Sequence, residues 1–97
     1  MKVVWSATAA DRLEEIRRFV AHDSPRAAEA LVTRLLDRGE SLARLPSRGR
    51  PLPEIPGSGL RELIEGNYRI VYRPGPEVVG IVTVFEAHRL LPTEDLK

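Results

Sequence analysis

LRELIEGNYRIVYR, residues 60–73, reads as two strands folded back on one another. Apolar residues alternate in Leu60–Ile64 and in Tyr68–Arg73, and Glu65, Gly66 and Asn67 between them have the composition of a tight hairpin turn. Successive strand side chains point to opposite faces. Tyr68, Ile70 and Tyr72 therefore share one face, and Arg69, Val71 and Arg73 the other. The two arginines lie about 13 Å apart along the strand at ~3.3 Å per residue, close enough to serve one recognition surface.

Upstream, Lys2–Trp5 is a short strand with Val3 and Trp5 on one side. Ser6 stands as an N-cap before a helix over 7–21, in which Leu13, Ile16 and Val20 form the apolar stripe opposite a charged arc. Ser24 and Pro25 restart the chain as a second helix reaching about Leu45, so the two helices form an antiparallel hairpin. Gly39 within it is a weak point, costing about 1 kcal/mol relative to alanine.

Residues 46–59 hold four of the eight prolines and three of the seven glycines, and read as a partly extended loop. After a Pro74-Gly75-Pro76 turn, Val78–Phe85 is apolar on both faces, which suits a central strand or one covered on its outer side. The order is β-α-α-β-β-β: a single α+β domain over residues 1–97, with a mainly antiparallel sheet backed on one face by a helical hairpin. Nothing is expected on the other face. Leu63, Val71, Val82 and Val84 would leave it apolar, so a partner segment is expected to lie across it.

The chain has 97 residues, no cysteine and a formal net charge of +1, from 15 basic and 14 acidic residues. One core is affordable at this length, and neither disulfides nor a cysteine-based zinc site is possible. No apolar run approaches the ~20 residues of a bilayer span and no secretory signal is visible, so a cytoplasmic location without membrane contact is expected. All positive side chains except Lys2 and Lys97 are arginine, the residue suited to bidentate contact with carboxylates and phosphates.

No phosphate loop, dinucleotide fingerprint or metal-ligand spacing is present, so neither a cofactor nor a metal is expected. His88, just after the last strand, is placed to approach Arg69 and Arg73. A histidine and an arginine could act as acid and charge stabiliser in phosphodiester cleavage.

Several short motifs occur in one order: V-x-W-S at the N-terminus, D-S-P-x-A-A at Asp23–Ala28, P-x-x-G-R at Pro46–Arg50, R-E-L at Arg61–Leu63, G-x-Y-R-I-x-Y at Gly66–Tyr72 and H-R-L-L-P at His88–Pro92. Together they resemble the RelE/ParE superfamily of type II toxin–antitoxin toxins. The resemblance implies a small sheet backed by a helical hairpin, and a cognate antitoxin that wraps the toxin. It implies one of two activities: ribosome-dependent cleavage of mRNA in the RelE branch, or inhibition of DNA gyrase in the ParE branch.

Arg69 matches the strand arginine of the ribonuclease members, with Glu62 and His88 as possible catalytic companions. The lysines of that branch fall here at Leu60 and Glu62, its terminal catalytic tyrosine is missing, and Arg89 replaces the aromatic of a second variant. Residues 48–97 carry seven basic and seven acidic groups, whereas a protein seated on ribosomal RNA is expected to be basic. The expectation is a ParE-like toxin that acts by binding gyrase. Arg61, Arg69, Arg73, His88 and Arg89 are expected to form its target surface, and Trp5, Leu63 and Val71 part of the antitoxin groove.

Overall fold

The computed structural model describes residues 1–97, the whole chain. Strand β1 is Lys2–Trp5. Helix α1, Ala7–Asp23, starts where Ser6 Oγ accepts the Ala9 N–H at 3.0 Å. Helix α2, Pro25–Glu40, starts where Ser24 Oγ accepts the Ala27 N–H at 3.1 Å, with Pro25 in the first turn, where its missing N–H is not needed. Each cap satisfies a donor the helix itself cannot, which contributes about 1 kcal/mol. Ser24 alone joins the helices, which forces them antiparallel.

Helix α2 stops short of the expected Leu45, and Ser41–Ala43 continue as a 3-10 turn. Gly39 is a requirement here rather than a weakness. A Cβ at this position would stand 2.7 Å from Trp5 Cζ2 and 2.8 Å from Ile81 Cδ1, so its absence lets α2 approach the sheet.

The sheet has five strands: β2 (Arg50–Pro51), β3 (Arg61–Glu65), β4 (Tyr68–Pro74) and β5 (Val78–Glu86) join β1 in the order β1-β5-β4-β3-β2. Only β1, at one edge, runs parallel to its neighbour, so the α+β, mainly antiparallel architecture is as expected. The fifth strand comes from the segment read as loop, where Arg50 pairs with Glu62 and Pro51 with Arg61. No helix is long and apolar enough to cross a membrane.

The helices cover the back of the sheet, where Leu13, Leu31, Leu35 and Leu42 meet Leu63, Ile70, Tyr72, Ile81 and Val84. Leu63 and Val84 were expected on the open front, and both belong to this back core. For Leu63 the reason is turn length. The loop is the two residues Gly66-Asn67, which pairs Glu65 with Tyr68 and Leu63 with Ile70. A three-residue loop would shift the register by one and reverse the faces. For Val84 the reason is a bulge: β4 passes from Val71 to Tyr72 while its partners jump from Thr83 to Ile81, so Val82 is extra and alternation resets beyond it.

The front is not bare. Val71 is fully buried there with Phe85 beneath Leu52 and Leu60 from the 46–60 segment, and Leu91 and Leu96 from the C-terminal segment pack alongside. Residues that composition marked as a loop thus act as a second layer of core.

Just before β2, Gly49 lies tight against β3 and the Tyr72 hydroxyl. Its N–H donates to Tyr72 Oη at 2.9 Å in a buried contact, and a Cβ would lie 2.3 Å from the Glu62 carbonyl oxygen. Gly49→Ala is therefore expected to destabilise the fold by about 1–3 kcal/mol, as overpacking does. A thermal melt of the variant matching that of the parent would contradict this close approach.

Candidate functional site

The arginine matched to the superfamily's functional position is held inside an ion cluster. Arg69 Nε donates to Glu62 Oε1 at 2.5 Å, and its two terminal nitrogens grip Glu54 at 2.6 and 2.7 Å. Glu62 Oε2 accepts from Arg50 Nε at 2.6 Å. The Arg69 guanidinium carbon also stands 4.9 Å above the Phe85 ring. Glu62 is buried, and the Arg69 side chain is only 11% exposed.

This geometry follows from register. Glu62 opposes Val71 and Arg69 opposes Ile64, so Glu62 and Arg69 are diagonal neighbours on the front. The hydrogen bonds from Arg69 hold the Glu54 carboxyl below its ordinary range, and those carboxylates, Glu54 foremost, raise Arg69. Two guanidiniums and two carboxylates leave the cluster neutral. Arg69 cannot meet an incoming phosphate without displacing Glu54.

The other expected site residues do not gather around it. His88 is exposed, its backbone N–H donates to Glu86 Oε1 at 2.6 Å, and it makes no hydrogen bond or ion pair with Glu62, Arg69 or Arg73. Arg73 pairs with Gly80 while His88 follows Glu86, so they sit toward opposite ends of β5. Arg61 faces the back beside Tyr72, where it donates to the Gly49 and Ser47 carbonyls at 2.8 and 3.3 Å. Arg73 is exposed on the front and donates to the Ser58 carbonyl at 3.2 Å. Trp5 packs against the back core, and Leu63 and Val71 are buried, so none of the three forms an open front groove.

An open groove lies elsewhere, of about 770 Å³, between α1 and the edge of β5. Ile16, Phe19, Val84, Leu90 and Leu91 supply its apolar walls, with Glu15, Arg12 and Arg89 also lining it. Phe19 is 77% exposed and Leu90 92%, a large apolar outlay for surface residues. The β5 edge is free here because β1 ends at Trp5, opposite Ile81. Ala87 donates to the Asn67 carbonyl on the β4 side at 2.7 Å, so alternation turns the Val84 and Glu86 N–H groups into the groove.

One wall is fixed by the chain's end. Asp95 accepts two bonds from Arg12 at 2.8 Å each and one from Thr83 Oγ1 at 2.8 Å. These contacts, the Arg12 bonds first, hold the Asp95 carboxyl below its ordinary range. Nothing local in the sequence pairs residues 12, 83 and 95. Phe19 did leave a signal, as the one aromatic on the charged arc of α1. No group of three His, Cys, Asp or Glu side chains is gathered as for a metal.

Comparison with known proteins gives a consistent relationship. The family model for the ParE toxin of the parDE type II toxin–antitoxin system matches residues 3–91. The chain is 34% identical over 91 residues to toxin Y4kP of Sinorhizobium fredii, spanning 94% of this chain and 93% of that protein. It is 37% identical over 90 residues to toxin RelE2 of Caulobacter vibrioides, spanning 92% and 98%. Among solved structures it resembles the chromosomal ParDE system of P. aeruginosa, with a TM-score of 0.74 at 21% identity over 89% of this chain and 95% of that one. It also resembles the RelBE2 toxin–antitoxin complex of Mycobacterium tuberculosis, with a TM-score of 0.63 at 27% identity over 88% and 95%.

The ion cluster and the C-terminal clamp make two tests. Glu62→Ala removes an acceptor from the nearly buried Arg69, which keeps Glu54, and from the more exposed Arg50, and a loss of about 1–3 kcal/mol is expected, as when a buried donor loses its partner. A urea titration with an unmoved midpoint would contradict the cluster's structural role. Glu54 and Asp95 have carboxyl pKa values lowered from 4.5 and 3.8. Their contribution is complete above those values and lost as pH falls below them. Melting temperature is expected to drop from pH 5 to pH 3, and less steeply in Asp95→Asn.

Proposed function

The chain belongs to the ParE toxin family of type II toxin–antitoxin systems, and from that membership we propose a cytoplasmic toxin that inhibits DNA gyrase by binding it and is neutralised by a cognate antitoxin. The observation that carries the choice of target is the sequestration of Arg69. A ribonuclease of the related branch needs that guanidinium free to stabilise charge developing on phosphate. Here two carboxylates already engage all three of its nitrogens, and His88 lies outside the cluster. The terminal tyrosine of the RelE branch has no counterpart after Phe85. Inhibition by binding needs none of these groups.

The antitoxin fits the groove beside β5 better than the front. An extended segment there can bond the Val84 and Glu86 N–H groups and place apolar side chains against Phe19, Ile16 and Leu90. Arg89 lies at this groove, so among the target residues expected from sequence it is the one whose surroundings suit contact with another chain. Arg61 and Arg69, on opposite faces, do not form one target surface, and Arg73 is the exposed front arginine that remains available.

The deciding experiment adds the purified protein to gyrase and, separately, to ribosomes programmed with mRNA. Loss of supercoiling with intact message is expected. Cleaved message with unaffected supercoiling would overturn the choice of target. For the antitoxin, Phe19→Asp is expected to leave the melting temperature unchanged and weaken the complex by about 2 kcal/mol or more, the scale of an interface anchor. An unchanged affinity in calorimetric titration would move the antitoxin elsewhere.

A further inference from the structure

A free strand edge lies on the rim opposite β2. Strand β1 pairs with β5 on one side, and its other side meets no strand. The Ser6 N–H donates to the Ile81 carbonyl at 3.0 Å, so alternation turns the backbone groups of Lys2 and Val4 toward β5 and those of Val3 and Trp5 outward. Val3 and Trp5 send their side chains to the back, against the helix-packed core, which puts Lys2 and Val4 on the front.

This edge carries little of what keeps strands from pairing with other chains. It has no proline and no bulge, and Lys2 is its one charge. Val4 is 42% exposed, and Val78, beside Lys2 on β5, is 40% exposed. Gly80 stands next to Val4 and has no side chain to shield it, although a Cβ there would meet nothing nearer than 4.0 Å. The front is therefore low at this point, with a hollow of about 530 Å³ lined by Val4, Val78 and Gly80.

We propose that the edge receives a second copy of this chain, β1 against β1 in antiparallel register about a two-fold axis at Val4. This register sets Val3 opposite Trp5 of the other copy, and Trp5 opposite Val3. Each such pair exchanges two N–H···O bonds, so every outward N–H of both strands finds an acceptor. Registers centred on Val3 or on Trp5 also keep front on front, but each forms one such pair within the strands, and a shift by a single residue would set front against back. At the Val4 axis the two exposed valines meet on the front, and Lys2 faces Ser6 rather than another lysine. A net charge of +1 per chain leaves little repulsion between the copies. A second β1 thus matches this edge in length, in the spacing of its outward groups and in its apolar front. The inference is independent of the choice of target.

Sedimentation of the purified chain over a range of concentrations tests this, with the parent beside Val4→Lys, Val4→Glu and, as a control, Ile64→Lys, which charges an exposed apolar residue of β3. The parent is expected to reach about twice its 10.9 kDa as concentration rises, with amide exchange slowing at Val3 and Trp5. Val4→Lys and Val4→Glu each set like charges across the axis, and either alone is expected to associate at least about tenfold more weakly. Mixed in equal amounts they are expected to pair again, which a misfolded variant could not do, and Ile64→Lys is expected to match the parent. A parent that stays monomeric at millimolar concentration would overturn the proposal, as would Val4→Lys pairing like the parent or a mixture that fails to recover. Loss of pairing in Phe19→Asp with pairing kept in Val4→Lys would seat the second copy in the groove beside α1 and overturn it too.

Discussion

A buried carboxylate organises this molecule. Glu62 lies in a sheet whose front is covered by apolar side chains, and taking its charge out of water costs several kcal/mol unless it is paired. Arg69 from β4 and Arg50 from β2 supply that pairing, and Glu54 completes it from the loop. Four separate segments are therefore held at one point. If the β3–β4 register slipped by one residue, Glu62 would turn into the helix-packed back among Ile70, Tyr72 and Val84 without a partner. The cluster therefore selects the register as well as closing the front.

That closure changes where function can reside. With Leu52 and Leu60 over Val71, and Leu91 and Leu96 beside Phe85, the front offers no wide apolar platform. A surface left to other chains is at the rim, a groove where β5 outruns β1. It arises from strand length: β1 is four residues and β5 nine, so an edge is left unpaired.

Much of this was legible in the sequence, and the limits have definite causes. Ser6, Ser24 and Pro25 announced both helix starts because capping is local chemistry. Gly66-Asn67 announced the hairpin, but counting Glu65 into the loop misassigned the face of Leu63. The bulge at Val82 left no mark in a run of apolar residues, which is why Val84 was misplaced too. Arg69 was recognised on the correct face and its burial was not, because Glu54 reaches it from 15 residues away along the chain. The Asp95 clamp was invisible for the same reason. Such pairings belong to topology, whereas periodicity reports only the local strand or helix.

The central claim is that Arg69 serves the fold, immobilised between two carboxylates. Solvent exchange of the Arg69 Nε–H, followed by nitrogen-15 NMR at neutral pH, tests it most directly. A resolved resonance that persists through exchange-sensitive filtering, shifted away from the free arginines, is the predicted result. An Nε–H that exchanges as fast as those of the exposed arginines Arg26 and Arg89 would contradict the account.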